Sequence, residues 1–269
     1  MAVRDSCPGR FFSHRPDGNT REDNHMIPIA RLDSEFGEIE VLEYRARKLF
    51  YYVQGGCFQT EADRNGIGLA PYVHAIFGLL MQSKAQDVLM IGCGGGCLGT
   101  MLVKAGVQVA VVDKNPVAFK IARSHFCLPA AVSCHVADGK EFLLGTHRRY
   151  DAIVLDAYDG DRIPAHLQTS EFFDLVRLRL DGSSGCVVSN VHALHDLDRT
   201  PDRYAATARC TWRDVRLLDT QGVIGRNALV VAGNVRNLRQ PSLQMPPLLD
   251  RREITSALAR MKFRPWKCK

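Results

Sequence analysis

Several things are scarce or missing in this chain of 269 residues, and each absence excludes a class of protein. No hydrophobic run is long enough to cross a bilayer. The longest, about Leu69–Met81, is interrupted by Pro71 and His74 and falls well short of a span, so no membrane partner is expected. The stretch Met1–Arg10 has no apolar h-region, so no signal peptide is expected and a cytoplasmic location is. No second Cys pair or His stands at zinc-ligand spacing from Cys93 and Cys97, and His192 and His195 have no third ligand in view. The nine scattered cysteines are therefore expected to be reduced thiols filling small spaces, with no metal. G-x-S-x-G and P-loop motifs are absent, which leaves hydrolase and nucleotide triphosphatase readings without support. There is no internal repeat and no low-complexity tract.

Basic charge is also scarce over most of the chain, despite a formal net of +6. Nine Lys/Arg and two Asp/Glu lie between Asn234 and Lys269, a net of +7, against −1 for residues 1–233. A broadly basic nucleic-acid-binding body is thereby excluded. A basic tail remains, with Arg251, Arg252, Arg260, Lys262, Arg264, Lys267 and Lys269 beside Trp266. It reads as a solvated terminal helix, with an anionic partner such as nucleic acid as the alternative.

What is present is a regular alternation. Residues 1–34 are polar and proline-interrupted and read as a loose arm. Residues 35–65 read as a small β-region, with a hairpin from Ile39–Tyr44 and Lys48–Val53 and a short strand at Cys57–Gln59. A helix is expected over Leu69–Met81. From Gln86, apolar runs at Asp87–Ile91, Gln108–Val112, Ala131–Val136, Asp151–Leu155 and Gly185–Asn190 alternate with helix-like segments. Those segments are Cys97–Ala105, Pro116–His125, Gly139–Leu144 and Ser170–Leu180. This pattern predicts βαβ units and a doubly wound, mostly parallel α/β sheet of seven strands over residues 66–235, completed by an antiparallel pair at Arg213–Leu218 and Asn227–Ala232. Residues 236–269 read as the basic tail, with a short helix at about Asp250–Met261.

Chemistry concentrates at the strand ends. Val88–Cys97 runs through Gly92, Gly94, Gly95 and Gly96 between a strand and a helix, where glycines admit close backbone approach to a ligand. Gly92, Gly94 and Gly96 fit the G-x-G-x-G of S-adenosylmethionine sites. Gly94, Gly96 and Gly99 fit the G-x-G-x-x-G of dinucleotide sites equally well. Asp113, closing the next strand, is placed to accept ribose hydroxyls in either case. The later strands separate the two. Asp138-Gly139 ends the third, and Asp156-Ala-Tyr158-Asp159 ends the fourth with an acidic pair that dinucleotide oxidoreductases do not need. An adenosyl sulfonium is the favoured ligand.

Taken together, Gly55–Gln59, Tyr72 with His74, the glycine loop, Asp113, Asp138–Leu143, Tyr150–Asp159, Pro164-Ala165 and Thr169–Phe173 resemble the spermidine synthase family, the polyamine aminopropyltransferases, across roughly residues 36–233. The resemblance implies a class I S-adenosylmethionine-dependent methyltransferase-like Rossmann fold and an aminopropyl donor, decarboxylated S-adenosylmethionine. It also implies a small-molecule amine acceptor and at least a homodimer. By resemblance Gly92, Gly94, Gly95, Gly96, Asp138, Gly139 and Gln59 belong to the donor site and Asp113 holds the ribose. Asp156 matches the position of the family's catalytic carboxylate and is the candidate to orient the amine and receive its proton, through water or Tyr158. Tyr72, His74 and Asp159 face the acceptor, under a lid at Gly160–Gln168. His74, beside Ala75 and Ile76, also reads as a core histidine.

Departures from the family pattern are equally specific. Gly95 stands where an Asp that holds the aminopropyl ammonium is usual, Val73 where Gln is common, His74 in place of an acid, and Asn115 in place of a second Asp. Each removes a partner for an ammonium group, and an unpaired desolvated charge is costly. An S-adenosylmethionine-dependent methyltransferase is therefore the alternative, and a non-catalytic nucleoside-binding module the third reading.

Overall fold

The structure, a computed structural model, describes residues 26–182 and 184–266. Apolar runs of four to eight residues rich in Val, Ile and Leu become the central strands, as expected when helices cover both faces of a sheet. In chain order these are β5 (Asp87–Ile91), β6 (Gln108–Asp113), β7 (Ser133–Val136), β8 (Ala152–Leu155) and β9 (Cys186–Ala193), followed by β10 (Val215–Asp219) and β11 (Arg226–Gly233). The intervening helices are α2 (Cys97–Lys104), α3 (Pro116–His125), α4 (Gly139–Gly145), α5 (Ser170–Leu178) and α6 (Thr200–Thr211). Strands β5 to β9 pair in parallel, and β11 joins β9 antiparallel.

Alternate residues of each strand face opposite layers. Val88 and Met90 pack into one core with α1 (Pro71–Ser83), α2, α3 and α7 (Arg251–Arg260), whereas Leu89 and Ile91 pack into the other with α4, α5 and α6. The chain moves outward from β5 through β6 to β7, then returns to build β8 and β9 on the other side. The reversal between β5 and β8 is the point where open α/β sheets bind ligands, outside the carboxyl ends of the strands.

The N-terminal end departs from expectation. Residues 1–25 of the predicted arm lie outside the described residues, but Met26–Leu32 is no loose arm: it is a strand, β1, paired with β2 (Ile39–Tyr44). Its register shifts between Pro28 and Ala30, and proline is tolerated because β1 lies at the edge. With β3 (Leu49–Gln54) and β4 (Cys57–Asp63) it forms a four-stranded antiparallel sheet. Ile39, Val41, Tyr52 and Ala62 of this sheet pack on Cys97, Ile121 and Phe126 of the larger domain.

The C-terminal segment is not a detached tail either. Helix α7 packs on α1, and β12 (Lys262–Arg264) pairs with β10, making the large sheet eight-stranded, ordered β12-β10-β11-β9-β8-β5-β6-β7. The fully buried Asp219 explains this docking. It takes Arg226 Nε at 2.6 Å and Arg264 Nε at 2.8 Å, while Arg264 also pairs with Asp202 at 2.8 Å. Part of the basic charge is thus neutralised inside the fold. Lys267 and Lys269 of the predicted tail lie outside the described residues. Six of the described cysteines are free thiols, but Cys57 is disulfide-bonded, against the expectation of uniformly reduced cysteines. No helix among the described residues is long and apolar enough to cross a membrane.

Candidate active site

At the reversal point a cavity with about 1180 Å³ of empty space, including its open mouth, is lined from both sheets. The large domain brings Gly92, Gly94, Gly96, Asp113, Asp138, Gly139, Asp156 and Tyr158. The small sheet brings Gln59 with Tyr52, Gln54, Thr60 and Glu61, and α1 adds Tyr72. Its charged lining is four carboxylates, Glu61, Asp113, Asp138 and Asp156, against one ammonium, Lys114. That balance favours a cationic ligand.

The glycine loop is held tightly from below. Gly92 has φ 104°, and a Cβ there would run into the carbonyl of Asp156. Any other residue would push β5 and β8 apart at the point where the cavity opens. Gly96 ends the loop in left-handed conformation and starts α2. Asp113 ties the loop to β6: Oδ2 accepts from Cys93 N–H at 2.8 Å and Oδ1 from Asn115 N–H at 2.8 Å. Burial raises its pKa, and the two amides and Lys114 oppose that rise. Each oxygen keeps acceptor capacity for a hydroxyl.

Asp138 caps α4, its Oδ1 accepting from Lys140 N–H at 2.8 Å and Glu141 N–H at 3.3 Å. Oδ2 meets His166 Nε2 at 2.8 Å. Burial would raise this carboxyl, yet His166 and the helix amides prevail and hold it below its ordinary value.

Asp156 is the most enclosed of the acids. Asn190 Nδ2 donates to its Oδ1 at 2.8 Å, and the Tyr72 hydroxyl faces Oδ2 at 3.4 Å. Asn190 is itself fixed by Asn227, whose Nδ2 donates to Asn190 Oδ1 at 2.9 Å. Burial raises the Asp156 pKa, and the bonds from Asn190 and Tyr72 only moderate it. A carboxylate held this way is ready to take up a proton.

Four residues expected from the sequence are placed otherwise. Tyr158 lines the cavity, but its hydroxyl donates to Asn190 O at 2.9 Å and accepts from His192 N–H at 3.0 Å. These bonds brace β9 and commit the hydroxyl hydrogen to Asn190 O. His74 is absent from the lining: it is buried in α1 with Nε2 at 2.7 Å from Gly68 O. Burial, opposed by Gly68 and Asp63, lowers its pKa to about 4, so it is a neutral core histidine rather than an acceptor ligand. Asp159 is 75% exposed and not part of the lining; it turns outward beside the rim, 3.8 Å from Lys114 Nζ. Its backbone bridges Arg162 in a tight turn. Gly95 contributes no lining surface, and its N–H donates to Thr60 Oγ1 at 2.9 Å.

The surroundings of Gly95 change the meaning of its missing carboxylate. A Cβ there would lie 2.7 Å from Thr60 Cγ2 and 3.0 Å from the Phe126 ring. The space that an Asp side chain would use is filled by Thr60 and Phe126. Neither residue was singled out by sequence reasoning, nor were Asn190, Asn227, Glu61 and His166. A pair of asparagines in largely apolar strands, Asn190 in β9 and Asn227 in β11, was the signal available for the support of Asp156.

No family model matches the chain. A polyamine aminopropyltransferase of Vibrio vulnificus (strain CMCP6) is 32% identical over 135 residues, 47% of this chain and 45% of that protein. An N-terminal histidine N-methyltransferase of Emericella nidulans is 25% identical over 203 residues, 62% of this chain and 36% of that protein. The matches thus span less than half of either relative's length. Among solved structures, a probable spermidine synthase from Corynebacterium glutamicum superposes with a TM-score of 0.69 at 17% identity, covering 86% of this chain and 85% of that one. At that identity the superposition speaks for the fold. The chain is thus similar in fold to the spermidine synthases and, over about half of its length, similar in sequence to polyamine aminopropyltransferases.

Proposed function

We propose that the chain is a spermidine synthase-like transferase that moves an aminopropyl group from decarboxylated S-adenosylmethionine to an amine by direct displacement. The observation that carries this reading is Asp156, a half-buried carboxylate in the same cavity as the glycine loop, held by Tyr72 and the Asn227–Asn190 pair.

The donor is read as a substrate whose ribose is taken by Asp113 and whose base lies toward Asp138. Backbone of the glycine loop makes room for it. The sulfonium is cationic, and the carboxylates of the lining match that charge. Its leaving group is good, so catalysis is mainly alignment of the two reactants. The acceptor nitrogen attacks the carbon beside sulfur, the carbon–sulfur bond breaks, and its electrons remain on sulfur as a neutral thioether. A free alkylamine is protonated at neutral pH, with a pKa near that of Lys, about 10. It must lose a proton before attack, and Asp156 is the group that receives it. Tyr72 and Asn190 hold the carboxylate in one direction while it does so. The wall supplied by β3 and β4 supports an acceptor side closed by the small sheet.

A second reading is a methyltransferase on the same scaffold. The filled space beside Gly95 favours it, because a pocket without an ammonium partner there loses its reason to demand the decarboxylated donor. The likeness to an N-methyltransferase points the same way. Calorimetry with decarboxylated S-adenosylmethionine, S-adenosylmethionine and methylthioadenosine separates the two. Tighter binding of the decarboxylated donor is expected. Preference for S-adenosylmethionine hands the site to the second reading, and failure of all three to bind removes both.

A further inference from the structure

The later part of the segment between β8 and α5, residues 160–169, reaches the cavity through Pro164 and Leu167. Between them, in a single 3₁₀ turn over Ala165–Leu167, stands His166, whose Nε2 lies 2.8 Å from Asp138 Oδ2. The rest of the turn is fixed by its own contacts. Leu167 is buried in the core beneath, and Gln168 Nε2 donates to Ile163 O at 2.6 Å. Thr169 then caps α5. His166 joins this turn to Asp138, the carboxylate that follows the end of β7.

We infer that His166 is a positioning residue for the nucleobase: it pins the wall formed by Pro164 and Leu167 to Asp138 and fixes which way the Asp138 carboxylate presents its remaining acceptor. The inference rests on the proposed nucleoside site. Its chemistry follows from the bonds of Asp138. Asp138 lines the cavity, and its Oδ1 already serves the two amides at the start of α4, which leaves Oδ2, bonded to His166, with an acceptor position to spare. Asp138 is ionised, because its surroundings hold it below the usual carboxylate range. An ionised carboxylate only accepts, so His166 Nε2 carries the hydrogen. One lone pair of Oδ2 is then used by His166, and the other is left to accept from a ligand. It matches a donor, the exocyclic amino group of an adenine. A 6-oxo base would bring a carbonyl oxygen against a carboxylate oxygen at that place, two acceptors with no hydrogen between them. His166 thus enforces a preference for 6-amino over 6-oxo purine nucleosides without touching the base itself.

The test is calorimetry on the full chain with methylthioadenosine and its 6-oxo counterpart, methylthioinosine. Wild type is expected to favour the amino nucleoside. His166→Ala should weaken methylthioadenosine about tenfold, the scale of one charge-assisted hydrogen bond, and narrow the amino-to-oxo ratio. His166→Gln, which returns a neutral N–H donor of similar reach, should recover part of both. His166 is an exposed position, with 45% of its side chain accessible, so the variants are expected to fold. Unchanged methylthioadenosine affinity in His166→Ala overturns the inference. So does an equal loss for both nucleosides, since a merely structural role lowers both alike. If wild type binds neither nucleoside, the proposed function falls first and the role of His166 with it.

Discussion

Two influences act on Asp156. Burial pushes its pKa up, and donors from Asn190 and Tyr72 push it down, with burial prevailing. An exposed Asp is too weak a base to take a proton from an alkylammonium with useful efficiency, and a raised pKa reduces that mismatch. The base works only when ionised, so activity should fall as pH is lowered through the Asp156 pKa. Because that value is raised, the acid limb should lie above the range of an ordinary carboxylate. Asp156→Asn keeps the size of the side chain and its bond to Tyr72, but removes the proton acceptor. Turnover with the decarboxylated donor should drop by at least about 10²-fold. Methylthioadenosine affinity should stay near wild type. Turnover at the wild-type rate in Asp156→Asn, measured across pH, would show that another group takes the proton. The counterexample at this scale is His74. It has the residue type for acid–base work and the right neighbourhood in sequence, yet burial in α1 leaves it neutral and away from the cavity.

Elements were recognisable where their stability is local and obscure where it is borrowed. The strands β5, β6, β8, β9, β10 and β11 are runs whose apolar side chains mostly find cover, so their composition reveals them; the exposed edge strand β7 is a weaker case. β12 has three residues and no such pattern. It exists because Arg264 reaches Asp219 and Asp202, residues 45 and 62 positions away in the chain. A prediction follows from that arrangement. Asp219→Asn would leave Arg226 and Arg264 sharing a neutral amide in a buried setting. Removing one member of a buried ionic group costs about 3–5 kcal/mol. Urea denaturation should show a loss of that size, with limited proteolysis beginning in the segment around β12. A change below about 1 kcal/mol would mean that solvent reaches the cluster. β1 was obscured in a similar way, since Pro28 argues against a strand until β2 supplies a partner for one edge. The site followed the same rule. Asp113, Asp138 and Asp156 were visible because strand ends are visible. Thr60, Phe126, Asn190, Asn227 and His166 act through partners that are distant in sequence, and no spacing along the chain announces them.

At the scale of the molecule, the cavity belongs to neither sheet alone. The small sheet packs on the larger domain through Ile39, Val41, Tyr52 and Ala62, and Thr60 fills the space beside Gly95. A ligand seated on the glycine loop therefore lies against residues from both units, Tyr52, Gln54 and Gln59 on one side and Asp113, Asp138 and Asp156 on the other. A ligand bound only by the folded form stabilises it by about 2.7 kcal/mol at a concentration one hundred times its dissociation constant. If that energy is shared across the cavity, it must slow the opening of both sheets together. Hydrogen exchange with saturating methylthioadenosine should show added protection in β3 and β4 as well as in the glycine loop and the ends of β6 and β8. A methyltransferase-like ligand held by the large domain alone would protect the loop and leave the small sheet at its ligand-free rate. Protection confined to the large domain would thus remove the small sheet from the binding site and, with it, the physical basis for an acceptor pocket built between the two.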